Sequence, residues 1–205
     1  MRIAMLTLLA LPSFAGDMID VFGHKWRVPV AKDWLSDGGV LKLVVPRPQE
    51  QPRRPIQFAL AQTKPFRRVT VEAEVKKEHF DARRRRTSLI IVYAWQDDAH
   101  FNYAHLSVDT GTRQPVHNGI FHVFGGERVR ISPLDGAATL DGEDWHKVRL
   151  DWDGSTGRVV VHVNGKTSPA MEAVDMSLRE GRVGIGSFFD LGEFRNVRII
   201  PGSAN

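Results

Sequence analysis

Short stretches of alternating apolar and polar residues recur roughly every 10–15 positions, each closed by turn residues. The alternation predicts strands over Val40–Val45, Gln57–Ala61, Val69–Val75, Ser88–Trp95, Phe101–Val108, Ile120–Phe124, Val129–Ser132, Lys147–Trp152, Val159–Val163, Val183–Phe188 and Phe194–Ile200. In the clearest of these, Val148, Leu150 and Trp152 share one face and Arg149 and Asp151 the other, as the two-residue period of a strand requires. Helical periodicity is nearly absent, with room for a single turn over Val174–Arg179. Asn164-Gly165 suits a hairpin turn with positive φ at both central residues. The segment Pro46–Pro55 holds four prolines and reads as an extended surface loop within one domain. So many short strands with this punctuation specify an all-β sandwich or barrel.

Composition narrows the setting. A chain of 205 residues suits one domain able to bury a core without cross-links, and it contains no cysteine. Its first residues read as a secretory leader over residues 1–15: Arg2, the apolar run Ile3–Leu11, Pro12, then the small-x-small pattern Ser13-Phe14-Ala15. That run is too short to span a bilayer as a helix. The expectation is a secreted or periplasmic protein whose folded domain covers residues 16–205, with no membrane span. The formal charge of +4 is mildly basic and favours an acidic partner without demanding one. The run Arg83-Arg84-Arg85-Arg86 precedes a strand, so it reads as a loop that could steer an acidic polysaccharide; an exported protein gives it no nucleic-acid partner.

The strand Phe101–Val108 carries the most chemistry. Ala104, Leu106 and Val108 point to one side, and Phe101, Tyr103, His105 and Ser107 to the other. If Tyr93 and Trp95 of the preceding strand share that second side, the face is a row of aromatic and polar groups. Aromatic rings cover the apolar faces of pyranoses while polar tips bond hydroxyls. The competing expectation is a second core layer under a loop. His117, Asn118 and Arg128 follow closely and are expected to converge on the same face. The catalytic candidates are therefore His105, Tyr103 and His117, and the substrate-binding candidates are Asn118, Arg128, Tyr93 and Trp95. Such a set suits β-elimination of a uronate, with Arg and Asn or His neutralising the carboxylate and Tyr or His moving the proton. It suits simple sugar binding equally. Glu72 and Glu74 share a strand face about 6.6 Å apart by strand rise, as a glycosidase pair might stand, although a solvated strand face explains them as well. Asp151-Trp152-Asp153-Gly154 resembles half a calcium loop but reads as a hairpin turn.

Two stretches carry a family likeness. One runs from Trp145-His146-Lys147-Val148-Arg149-Leu150-Asp151-Trp152 into Val159–Lys166, and the other is Gly181-Arg182-Val183-Gly184-Ile185-Gly186 with Phe194-Arg195-Asn196-Val197-Arg198-Ile199. Together with Trp34-Leu35-Ser36-Asp37-Gly38-Gly39-Val40-Leu41, they resemble the concanavalin A-like lectin/glucanase superfamily, notably laminin-G-like domains and bacterial 3-keto-disaccharide hydrolase domains. The resemblance implies a two-sheet antiparallel β-sandwich of jelly-roll type. It also implies a partner among oligo- or polysaccharides, including acidic ones, and leaves room for a structural Ca²⁺ that no residue pattern here specifies. No organic cofactor is expected. Glycoside cleavage is the leading expectation. A non-catalytic lectin-like module, a polysaccharide lyase acting on acidic glycans and a protein-binding adhesion domain remain open beside it.

Overall fold

The computed structural model describes residues 16–78, 88–142 and 144–203. The expected leader over residues 1–15 and the run Arg83–Arg86 lie outside the described residues. The chain forms β1 (Asp17–Val21), β2 (His24–Val28), β3 (Trp34–Asp37), β4 (Val40–Leu43) and β5 (Gln57–Ala61). There follow β6 (Arg68–Lys77), β7 (Leu89–Asp97), β8 (His100–Leu106), β9 (Gly119–Phe124) and β10 (Arg128–Arg130). The last five are β11 (His146–Asp153), β12 (Arg158–Val163), β13 (Met171–Val174), β14 (Arg182–Ser187) and β15 (Gly192–Pro201). They build two antiparallel sheets, β1-β2-β5-β14-β7-β8-β9-β10 facing β13-β12-β11-β6-β15-β4-β3. The β-sandwich expected from the alternation is what forms.

The seven-stranded sheet is one-sided, as its alternation predicts. On β6, Val69, Val71, Ala73 and Val75 are buried, while Thr70, Glu72 and Glu74 face outward. On the paired β11, Val148, Leu150 and Trp152 turn inward. The outer positions are laced by ion pairs: Arg149 and Arg198 hold Glu72, and Arg195 holds Glu74 at 2.7 Å. Glu72 and Glu74 are thus members of a surface charge network, the plainer of the two readings their spacing allowed. Asn164 and Gly165 take φ of 54° and 70°, which closes the β11–β12 hairpin as expected. Asp153 sits in the turn, where Ser155 donates to it at 2.8 Å and Arg68 pairs with it at 2.7 Å. The half-calcium loop is therefore a hairpin turn.

The eight-stranded sheet is apolar on both faces. Its inner face meets the other sheet across a core that includes Ile91, Ala104, Leu106, Trp152 and Ile185. Its outer face carries a second buried cluster, among them Phe58, Ile90, Phe101, Tyr103, Phe121 and Phe188. Residues 44–56, the proline-rich segment between β4 and β5, lie over this second layer as a strap. Arg53 offers its carbonyl to the Arg128 amide at 3.0 Å, and its guanidinium carbon lies 5.7 Å from the centre of the Phe188 ring. Arg53 and Gln57 are four residues apart, a reach of at most about 14 Å. Flat, the five strand spacings from β5 to β10 would measure about 24 Å. The sheet is therefore curved, and the strap crosses its concave side. The close passage of β14 against β5 belongs to the same curvature. A Cβ on Gly186 would meet Gln57 O at 2.3 Å and Phe58 Cα at 2.5 Å, so only glycine fits.

No α-helix forms among the described residues. The expected turn at Val174–Arg179 is replaced by β13, which ends at Val174, and an irregular stretch beyond it. Among the described residues no helix is long and apolar enough to cross a membrane.

Candidate functional site

The strand β8 presents Phe101, Tyr103 and His105 to the concave side, as its period requires, and all three are buried. Tyr103 stacks on Phe121 with ring centres 5.3 Å apart, and its hydroxyl oxygen accepts from Arg128 Nη1 at 3.2 Å. His105 donates from Nδ1 to the carbonyl of Val116 at 2.8 Å, which leaves the proton off Nε2. That Nε2 is buried and has no hydrogen-bond partner among the described residues. Burial, and after it the charge of Arg128, hold the His105 imidazole well below its ordinary range. Burial likewise raises the Tyr103 phenol.

His117 lies against His105, ring centres 5.2 Å apart. Its Nδ1 sits 3.0 Å from Asp109 Oδ2 and 3.3 Å from Ser107 Oγ. The residue types are those of a hydrolytic triad, but serine and aspartate share one ring nitrogen. A relay needs them on opposite nitrogens, so this set cannot pass a proton from serine through the ring. Asn118, with φ 39°, uses its side chain on the fold. Its Oδ1 accepts from the Ser107 amide at 2.8 Å and from Thr139 Oγ1 at 2.6 Å, and its Nδ2 donates to the Asp109 carbonyl.

The structure thus brings Tyr103, His105, His117 and Arg128 together beneath the strap, where the expectation was an open cleft. It separates the other candidates. Tyr93 points into the core between the sheets, its ring 5.6 Å from Trp152. Trp95 lies half-buried toward the concave side, with Arg27 at 5.1 Å from its ring centre and Arg182 at 5.9 Å. A bulge explains the split. Ala94 takes φ 52°, and the pairing of β7 with β14 skips between Trp95–Arg182 and Val92–Gly184. The extra residue sends Tyr93 inward and Trp95 outward, although they stand two apart.

Sequence reasoning missed three residues here. Arg53 comes from the strap. Phe188 follows Gly184-Ile185-Gly186-Ser187 and supplies a ring to both Arg53 and Arg128. Arg130 donates to the carbonyls of Pro115, His117, Asn118 and Pro133, fastening the loop that carries His117. Arg130 lies two residues from Arg128 on β10, and this same-face spacing was the readable signal.

The open space lies on the other side of the strap. A cavity of about 590 Å³ is enclosed by the strap, β2 and β5, with Arg27, Asp33, Arg47, Glu50, Arg54 and Phe58 on its wall. Asp33, at 2% exposure, receives two hydrogen bonds from Arg47 at 2.6 and 2.7 Å, and the two backbone amides after β4 bond its carbonyl. The hydrogen bond and charge of Asp33 raise the Arg47 guanidinium against the cost of its desolvation. This pair anchors the strap. Glu50 and Arg54 form no ion pair among the described residues and remain available to a ligand. Among the described residues no group of three or more His, Asp or Glu side chains is placed to hold a metal ion.

No protein-family model matches the chain, and no curated protein matches it by sequence. Solved structures do match it. A carbohydrate binding module, CBM66 from Bacillus subtilis, superposes with a TM-score of 0.57 at 14% identity, covering 91% of this chain and 92% of that one. The exoplasmic/lumenal domain of VIP36 in its Ca²⁺/Man3GlcNAc-bound form gives 0.54 at 8% identity over 84% and 83%. The protein shares the two-sheet, concanavalin A-like β-sandwich fold of these structures. A xylan β-1,4-xylosidase from Bacillus halodurans C-125 gives 0.57 at 12% identity, covering 97% of this chain but 41% of that one. In the concanavalin A-like fold of this chain the strap divides the concave side into a filled aromatic half and an open charged cavity.

Proposed function

We propose that the protein is an exported carbohydrate-binding module that seats a glycan in the cavity between the strap and strands β2 and β5. The observation that carries this reading is the lining of that cavity. Its wall carries acceptors on Glu50 and Asp98, donors on Arg27 and Arg54, and the Phe58 ring, with Arg27 and Asp98 3.8 Å apart. A polyhydroxylated ring asks for donors and acceptors beside an apolar face, and a largely pre-formed concave site supplies them at low ordering cost. The module from Bacillus subtilis, named for carbohydrate binding, matches over nearly the full length of both chains. The leader read at residues 1–15 supports export.

The reading favours binding over cleavage because the expected acid and base groups lie under the strap. Tyr103 and His105 are at most 1% exposed. A substrate would have to displace the strap to touch them. Glycoside cleavage keeps one observation of its own, since Glu50 and Asp98 are two carboxylates on a single cavity wall. One experiment addresses both. Calorimetry against a panel of neutral and acidic polysaccharides is run beside assays for new reducing ends and for unsaturated uronate. The expected result is saturable binding without turnover, with Arg54→Ala and Glu50→Ala each weakening it about tenfold, or about 1.4 kcal/mol. Binding unaffected by both substitutions would overturn the site, and release of reducing ends lost in Glu50→Gln would overturn the non-catalytic reading.

A further inference from the structure

Strands β8 and β9 run past the end of the core on the face that meets the other sheet. The opposed pair Ala104 and Ile120 lies in that core. Asn102 opposite His122 comes next, beside Asp175, and His100 opposite Phe124 is the outermost pair. The Phe124 side chain is 57% exposed. A lone exposed apolar residue needs no explanation. Phe124, however, is the centre of three rings. His122 stacks on it with ring centres 5.4 Å apart and planes at 16°, and His100 meets it edge-on at 4.8 Å.

Both imidazoles are oriented by carboxylates. His100 Nδ1 lies 2.8 Å and 3.0 Å from the two carboxylate oxygens of Asp97. His122 Nδ1 lies 2.9 Å from Asp175 Oδ2 and 2.9 Å from Asn102 Oδ1. Acceptors at Nδ1 hold the ring proton there, so each neutral imidazole offers a lone pair at Nε2. Neither Nε2 has a hydrogen-bond partner among the described residues, and unlike that of His105 neither is buried. Asp175 is itself held by the Ser177 amide at 2.9 Å and by Asn102 Nδ2 at 2.8 Å. The three rings are thus positioned before any ligand arrives, which lowers the ordering cost of binding.

We infer that Phe124, His100 and His122 form a second saccharide subsite, in which a neutral pyranose lays its C–H face on Phe124 and donates hydroxyls to the two Nε2 atoms. The ligand class follows from the residues. An exposed aromatic face asks for apolar C–H groups, and the ring acceptors beside it ask for hydroxyls next to them. Asp97 and Asp175 stand behind the imidazoles, so an anionic sugar would meet like charge. The subsite and the cavity lie on either side of one turn. Asp97 holds His100, and Asp98, next along the chain, stands on the cavity wall. The inference rests on the glycan-binding reading for its choice of a saccharide, but it shares no residue with the cavity, and the two fail separately.

The test uses the full mature protein with ¹³C in its phenylalanine and histidine rings, followed by NMR. The probes are the methyl β-pyranosides of glucose, galactose, mannose and xylose, with sodium glucuronate as the anionic control. At least one pyranoside is expected to shift the Phe124, His100 and His122 ring signals saturably, with glucuronate weaker by about tenfold. Phe124→Ala should weaken pyranoside binding by about tenfold, Phe124→Tyr should retain it, and Arg54→Ala in the cavity should leave it unchanged. His122→Gln should weaken it as well, and should that variant unfold by circular dichroism, the exposed Phe124 carries the test. No shift with any of the four pyranosides, an equal response to glucuronate, or unchanged binding in Phe124→Ala would overturn the inference. Glycan bound in the cavity with these rings unshifted would keep the first reading and overturn this one alone.

Discussion

Trp152 offers a stringent test of the packing, because its substitutions separate burial from hydrogen bonding. The side chain is 2% exposed and packs on Tyr93 across the sandwich. A tryptophan buries about 150–250 Å², which at about 25 cal/mol per Å² amounts to roughly 4–6 kcal/mol. Residual burial in the denatured chain trims this, so Trp152→Ala is expected to cost about 3–5 kcal/mol. That is a large share of a total stability of about 5–15 kcal/mol. The indole Nε1 is buried and has no partner among the described residues. Desolvating such a donor costs about 1–3 kcal/mol. Trp152→Phe gives up part of the area but removes the orphaned donor, so its cost should stay below about 2 kcal/mol. Urea unfolding followed by circular dichroism measures both, with equal m-values confirming a common denatured state. A loss under about 1 kcal/mol for alanine would place the residue on the surface and shift the register by one. A phenylalanine variant as damaged as alanine would show that the indole nitrogen has a partner.

Two further outcomes follow from the same structure. Burial and the charge of Arg128 hold the His105 imidazole well below its ordinary range, and burial lowers that of His146, while the unfolded chain protonates both near pH 6.5. This stability is present above that pH and declines below it by up to about 1.4 kcal/mol per pH unit for each histidine; unfolding at pH 7, 6 and 5 should show the decline and His105→Gln should reduce its slope, an unchanged slope refuting the assignment. Gly186→Ala should destabilise by at least about 2 kcal/mol, because backbone atoms of β5 block the new Cβ; Gly126→Ala, with open space around it, is the control, and equal effects would refute the close approach.

The sequence announced some elements clearly and hid others for identifiable reasons. Strands β6 and β11 were legible because one face is solvated, so alternation survives in the residue types. Strands β1 and β2 escaped notice because Asp17, Asp20, His24 and Lys25 dilute the apolar signal, and because Phe22 joins Gly23 at positive φ in their turn. The approach of Tyr103 and His105 was readable from their spacing of two. The parting of Tyr93 from Trp95 was not, since the bulge at Ala94 answers to pairing with β14, a strand nearly ninety positions later. The cover over Tyr103 was invisible for the same kind of reason. Proline-rich composition announces an extended segment, but what lies beneath that segment is a matter of long-range contact.

The strap gives the two halves of the concave side one cause. An outer face holding Phe58, Phe101, Phe121 and Phe188 would, if bare, expose an apolar patch larger than monomers usually carry. A covering segment is therefore a requirement of this sequence, and residues 44–56 meet it while connecting the two sheets. Tied at one end by Asp33 and Arg47 and near the other by Arg53 and Arg128, the segment is held where it covers the aromatic half. Between those ties Glu50 contributes to the cavity wall, and Arg54 follows directly after the second tie. Function concentrates on loops that a rigid scaffold positions, and here the scaffold's own need for cover does the positioning.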